Sequence, residues 1–221
     1  MNQVFKYKKP LRLPIGDKQY GKRYLREDEA ERLFSFRLIA EEKFDGTMHE
    51  IDTQEFKFYV EDMKYRKTIP YRIPARYAVF DILDKRATIF LRRDDKERLV
   101  IDIIKGRIWA YRHLADKLFI VPLIEAGKFS ISEVPKLADM CSYYGHGKNV
   151  PIEGIVFKID AAISILESYP FSAKYVRADF IDKINSSDKK ISGLNVISSS
   201  IPMILSYKNQ SAKIKNQIRE P

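Results

Sequence analysis

One cysteine, Cys141, stands in 221 residues, so no internal disulfide is available, and no Cys/His cluster has the spacing of a zinc site. The opening Met1-Asn2-Gln3-Val4-Phe5-Lys6 has no apolar signal core, and no run reaches the ~20 apolar residues a membrane span needs. These absences predict a soluble cytoplasmic protein in a reducing compartment. The three histidines, His49, His113 and His146, are scattered and form no nucleophile-base pattern. Gly145-His146-Gly147 lacks the spacing of a phosphate loop and reads as a plain loop. Neither repeats nor a collagenous or mucin-like pattern are present.

Acidic residues are the minority charge. Forty Lys and Arg face 30 Asp and Glu, a net +10, which favours a polyanionic partner through counterion release. Hydrophobic residues at 45% and charged residues at 32% give a globular balance with enough apolar material for a real core.

The chain begins with a Lys/Arg/Pro/Gly-rich segment to about Tyr24, read as an irregular basic arm. Ala30, Leu33 and Phe34 among Glu and Arg predict a short amphipathic helix over Arg26 to Phe34. Phe56 to Val60 and Tyr77 to Phe80 read as strands, and Phe119 to Ile124 and Gly154 to Ile159 as buried strands. Ile108 to Leu118 and Ser132 to Tyr144 read as helices, the second opened by Ser132 as cap. After Lys183 the chain is looser, with Val196 to Leu205 apolar enough to pack. The pattern predicts a mixed, mainly antiparallel α+β domain.

Three elements carry chemistry. Lys43-Phe44-Asp45-Gly46 follows the segment Leu38 to Glu42 and presents an amine at a turn, where Gly46 permits close approach of a phosphate. In Glu153-Gly154-Ile155-Val156-Phe157-Lys158, alternation places Ile155 and Phe157 on one face and Gly154, Val156 and Lys158 on the other. Ser172-Ala173-Lys174-Tyr175-Val176-Arg177 adds two cations, on a segment that a solvated edge strand also explains.

In this order, the three elements resemble motifs I, IV and V of the covalent nucleotidyltransferases: DNA ligases, RNA ligases and mRNA capping enzymes. Phe58-Tyr59-Val60-Glu61-Asp62-Met63 resembles that family's ribose-binding strand, and Tyr77-Ala78-Val79-Phe80-Asp81-Ile82-Leu83 resembles motif III. The stretch from Glu61 to Leu83 and Lys174-Tyr175-Val176-Arg177-Ala178-Asp179-Phe180 are most similar to the RNA ligase branch. The resemblance spans roughly Ile15 to Lys183. Two positions depart from it: Val176 stands where many relatives have a second lysine, and Thr47-Met48-His49 where they often carry Arg or Asn.

The resemblance implies an ATP-grasp-like nucleotidyltransferase domain over 1–185, of mainly antiparallel sheets with flanking helices and a central nucleotide cleft. A short extension over 186–221 then packs on the core, since Tyr175 to Pro221 is too short for an oligonucleotide-binding barrel and linker. It also implies an ATP-dependent RNA ligase that uses Mg²⁺ or Mn²⁺, acts on RNA or a nicked duplex, and is a monomer or weak homodimer. Alternatives are a minimal DNA ligase and an inactive nucleic-acid-binding relative.

The same resemblance assigns roles. Lys43 is the nucleophile that becomes AMP-lysine, with Lys158 and Lys174 as catalytic cations. Glu42, Asp45, Gly46, Glu61, Phe80, Lys158, Lys174 and Arg177 bind the nucleotide, Glu61 at the ribose and Phe80 stacked on the purine. Glu153 holds the metal. An amine must shed its proton before it attacks phosphorus, which neighbouring cations or a bound metal favour.

Overall fold

The computed structural model describes residues 7–16, 22–166, 171–186 and 193–201. From the N-terminus these form β1 (Leu11–Arg12), α1 (Glu27–Phe34), β2 (Leu38–Lys43), β3 (Thr47–Asp52), β4 (Phe56–Asp62), β5 (Tyr65–Arg66), β6 (Arg72–Ile73) and β7 (Tyr77–Asp84). There follow β8 (Ile89–Phe90), α2 (Arg93–Ile104), a 3₁₀ turn (Trp109–Leu114), β9 (Leu118–Ile120), β10 (Leu123–Gly127), a second 3₁₀ turn (Ile131–Glu133) and α3 (Val134–Leu137). The remainder comprises β11 (Gly154–Ile159), β12 (Ile163–Ser164), β13 (Ser172–Val176), α4 (Ala178–Ser186), β14 (Gly193–Leu194) and β15 (Val196–Ile197).

Two sheets dominate. The first has the order β1-β13-β11-β2-β10, antiparallel except where β1 joins β13 in parallel. The second has the order β12-β8-β7-β4-β3, with β9 added in parallel to β7. The expected mixed, mainly antiparallel architecture is therefore the one observed.

Side-chain alternation divides the first sheet sharply. Leu38, Ala40, Ile155, Phe157 and Ala173 point to one face and bury against Ala30, Leu33 and Phe34 of α1. Helix α1 forms where expected: Glu27, Asp28 and Glu29 in its first turn oppose the helix dipole, and the Arg26 N–H donates to Glu29 Oε2 at 3.0 Å. In the second sheet, Phe58, Val60, Val79 and Ile82 bury against Val100 and Ile103 of α2 and Tyr111 and Leu114 of the 3₁₀ turn. The remaining face of each sheet looks into a shared cleft.

Several local expectations are corrected. Residues Leu11–Arg12 of the N-terminal arm pair with Ala173 and Lys174, and Tyr7 and Leu13 are buried, so this part is built into the fold. That pairing also covers β13, which is not an edge strand. The segment Phe119 to Ile124 splits at Pro122, which has no N–H for a ladder: β9 enters the second sheet and β10 the first. Ile108 to Leu118 is a 3₁₀ turn running toward a strand, with Trp109 exposed rather than packed. Helix α3 is four residues long and follows directly on the second 3₁₀ turn; the capping box of Ser130 and Glu133 belongs to that turn, and Ser132 caps neither. Beyond it the chain runs through turns and isolated bridges, where Cys141 bridges Pro151 and the Ser142 N–H donates to the Val150 carbonyl at 2.7 Å.

Helix α2 was legible only as charge. Its inward face carries Arg93, Lys96 and Glu97 beside Val100 and Ile103, which hides the apolar stripe that marks a helix. At the C-terminal end, β14 pairs with β5 and β15 with β6, while buried Asn195 accepts from the Tyr71 N–H at 3.0 Å and donates to the Met63 carbonyl at 2.8 Å. Residues 202–205 of the apolar segment that begins at Val196, and the basic residues Lys208, Lys213, Lys215 and Arg219, lie outside the described residues.

Gly154 is required sterically. A Cβ there would lie 2.0 Å from the Tyr175 carbonyl oxygen, which is backbone of the adjacent strand and cannot swing aside. Gly154→Ala should lower unfolding stability by about 2 kcal/mol in urea titration. Gly127→Ala, where an added Cβ meets nothing within 4 Å, should stay within about 0.5 kcal/mol of the parent.

Candidate active site

The cleft between the sheets encloses about 330 Å³ and is lined by Lys43, Gly46, Glu61, Phe80, Lys158 and Lys174, with Tyr7, Lys9, Glu41 and Lys67 among the other walls. Strand register brings the lysines together. Lys43 lies opposite Gly154, Glu41 opposite Val156, and Val156 opposite Lys174. Strand neighbours directly opposite share a face, so Glu41, Lys43, Lys158 and Lys174 all look into the cleft.

Lys43 closes β2. Its ammonium is 2.5 Å from Glu153 Oε1, with the lysine side chain 22% exposed and the glutamate 8%. Glu153 is held back to back with β13 by the Arg177 N–H, which donates to its carbonyl at 3.1 Å. Burial pushes the Glu153 carboxyl above the usual range although the Lys43 charge opposes it. Glu153 Oε2 is buried and makes no hydrogen bond. Glu61 repeats the pattern on the facing sheet: Oε2 is buried without a hydrogen bond, and burial raises the carboxyl to about 7 against the pull of Lys43 and Lys67. Gly46 keeps this wall close, since a Cβ there would meet Met63 Sδ at 2.8 Å and Glu61 Cβ at 3.0 Å.

Phe80 owes its position to a β-bulge. Tyr59 pairs with Asp81 but Val60 pairs with Val79, so Phe80 is the extra residue on β7. The bulge turns Phe80 and Asp81 toward the cleft together, which regular alternation forbids. It also frees the Phe80 carbonyl, which accepts from Lys96 Nζ at 2.5 Å and Lys158 Nζ at 2.6 Å.

Lys158 is less free than expected. Besides the Phe80 carbonyl it donates to Asp81 Oδ1 at 2.9 Å and ion-pairs with Glu41 Oε2 at 2.9 Å, a contact without hydrogen-bond alignment. Burial lowers its affinity for the proton, but Asp81 and Glu41 outweigh that and raise it overall. Behind it, Glu41 Oε1 accepts from Arg93 at 2.7 Å and Lys96 at 2.8 Å. Burial would raise the Glu41 carboxyl, yet Lys158, Lys96 and Arg93 hold it well below the usual carboxylate range. Burial brings Lys96 down to about 8. Tyr7 completes the network, its hydroxyl donating to Asp81 Oδ2 at 2.5 Å.

Lys174 is different again. It makes no hydrogen bond or close ion pair with the described residues, and burial, with Lys43 and Arg12 nearby, lowers it to about 8. A half-buried cation repelled by its neighbours is ready for an anion.

Three expected residues are not brought to the site by their side chains. The Glu42 carboxylate sits on the opposite face of β2, where it accepts from the Ser142 hydroxyl and from the Tyr143 N–H at 3.2 Å. The Asp45 carboxylate accepts from the Thr68 N–H at 2.7 Å and is absent from the cleft lining. Arg177 grips Asp179 with two hydrogen bonds of 2.9 and 3.1 Å and also stays outside. Sequence reading missed Tyr7, Lys9, Lys67, Arg93 and Lys96. Tyr7 and Lys9 lie far from the motifs in the chain, Lys67 falls between the ribose-strand segment and motif III, and the last two belong to the helix that went unread.

No protein-family model matches the chain, and no curated protein matches it significantly. Among solved structures, Naegleria gruberi RNA ligase with PPi aligns over 72% of this chain and 56% of its own length, at 14% identity and a TM-score of 0.50. The chain has the fold of that RNA ligase over the aligned part. Variants of the same ligase with ATP and Mn or with AMP and Mn align at 14% identity and a TM-score of 0.49, over 72% of this chain and 54% and 55% of theirs. The chain thus spans little more than half of the ligase it matches.

Glu42 is the group whose cost is measurable. Burial raises its carboxyl from the ordinary 4.5 to about 7, so the folded chain keeps a proton there that the unfolded chain loses over that interval. Stability from this group is greatest at low pH and falls as pH rises from 4.5 to 7. Glu42→Gln should therefore gain up to about 3 kcal/mol over the parent in denaturation at pH 8, and the gain should vanish near pH 4.

Proposed function

We propose that this chain is an ATP-dependent RNA ligase with Lys43 as its nucleophile. The observation that carries the reading is one cleft in which the Lys43 amine, the Phe80 ring, two buried carboxylates with oxygens that have no hydrogen bond among the described residues, and Lys174, whose amine has no close partner among them, converge. The nucleotidyltransferase fold and the RNA-ligase-like segments around Glu61 to Leu83 and Lys174 to Phe180 support it.

In the first step Lys43 Nζ attacks the α-phosphorus of ATP, a P–N bond forms, and pyrophosphate leaves. Glu153 Oε1 sits against the amine and orients it, and the proton that Lys43 must release passes to solvent, a loss that the charge of a divalent cation beside it would favour. Phe80 offers a face for the adenine, Glu61 accepts from ribose hydroxyls, and Lys174 meets the negative charge gathering on the phosphate oxygens. Lys158 acts from behind, bound to the Phe80 carbonyl and Asp81.

Glu153 Oε2, buried and without a hydrogen bond among the described residues, would hold a divalent cation such as Mg²⁺ or Mn²⁺. Such an ion supplies charge neutralisation at the phosphate. A 5′-phosphate oxygen on RNA then takes AMP from Lys43, and a 3′-hydroxyl displaces AMP to leave a phosphodiester. The net +10 charge suits the polyanionic substrate.

Incubation with α-labelled ATP and Mg²⁺ should give an acid-labile labelled protein, absent with α-labelled GTP and in Lys43→Ala. A chase with 5′-phosphorylated RNA should discharge it and yield joined RNA. Discharge by nicked DNA duplex alone would replace the RNA reading with a DNA ligase, and absence of any adduct would leave a nucleic-acid-binding relative.

A further inference from the structure

The charged inner face of α2 has no place in the steps above. Arg93 and Lys96 are each 1% exposed, on the side of the helix turned to the sheets, where apolar residues are the usual occupants. Burying two cations is costly unless each is matched, and the match here is specific. Arg93 binds Glu41 Oε1 and the Val121 carbonyl, while Lys96 binds Glu41 Oε1 and the carbonyl of Phe80, the residue extruded by the bulge.

A bulged residue has lost its ladder partner, so its carbonyl needs another, and without one the bulge can relax by passing the extra residue along the strand. Moving it by one position would turn Phe80 away from the cleft. Two ammonium groups from different elements, Lys96 on α2 and Lys158 on β11, fix that carbonyl from one side. Lys158 is part of the cleft lining, whereas Lys96 is not.

Resting on the ligase reading, we infer that Lys96 is a positioning residue for the nucleotide base: by holding the Phe80 carbonyl it locks the bulge and aims the Phe80 ring at the purine. The ammonium touches neither substrate nor reacting atoms. It acts through the backbone of the residue that does.

The test is steady-state and single-turnover adenylylation of the full chain with ATP, comparing the parent with Lys96→Met and Lys96→Arg. Lys96→Met keeps the unbranched apolar stem and leaves Arg93 and Lys158 on Glu41. Its KM for ATP should rise about tenfold, the size of a lost base–aromatic stack, with the single-turnover rate at saturating ATP within about twofold of the parent. Lys96→Arg, which retains a charged donor, should recover most of that loss. A structural role alone would lower the melting temperature and the fraction of protein that forms adduct and leave KM where it was; that outcome, or equal KM for the parent and Lys96→Met, overturns the inference. Should Lys96→Met fail to fold, Lys96→Arg and Phe80→Ala decide it: an Arg variant with the KM of Phe80→Ala contradicts a donor role. If the parent itself forms no adduct with ATP, the ligase reading fails instead, and the two failures are distinct.

Discussion

Everything at the cleft depends on the register of three antiparallel strands. With β2, β11 and β13 aligned so that Lys43 faces Gly154 and Val156 faces Lys174, the apolar residues Leu38, Ala40, Ile155 and Phe157 fall on one face and the charged residues on the other. A slip of one residue would send the lysines into the α1 core and the apolar side chains into the cleft, so burial of the core enforces the geometry of the site. Gly154, wedged against the Tyr175 carbonyl, allows the strands to approach that closely beside Glu153.

The same arrangement gathers cations that would repel one another unless balanced. Glu41, the most enclosed acid of the set, binds Arg93, Lys96 and Lys158, and Asp81 binds Lys158 and Tyr7. These pairs neutralise the floor of the cleft and leave Lys43 and Lys174, one matched to Glu153 and the other without a close partner among the described residues. The two facing carboxylates, Glu61 and Glu153, keep unpartnered oxygens in a buried setting, which folding tolerates poorly and ligand binding would relieve.

Much of this could be read from the residues in order. Gly154 to Ile159 and Phe56 to Val60 are apolar and partly alternating, and both are strands. Among the charged positions that line the cleft, Lys43, Glu61 and Lys158 sit at or next to the ends of their strands, whereas Glu41 and Lys174 lie within theirs. What was not legible depended on tertiary contacts. The bulge at Phe80 leaves no mark in the local pattern, and α2 disguises its buried face with Arg93 and Lys96. Asp45 and Arg177 belong to motifs whose spacing says nothing about side-chain direction, and each binds a nearby backbone or side chain instead of the cleft. Glu42 stands next to Lys43 in sequence and, by strand alternation, on the opposite face.

The central claim is that strand register delivers one amine, that of Lys43, to a nucleotide phosphorus. Peptide mapping by mass spectrometry, after incubation with ATP and a divalent cation, addresses it directly. The account requires a single AMP group on the peptide that contains residue 43. An AMP group on the peptides that carry Lys158 or Lys174, with residue 43 unmodified, would contradict it.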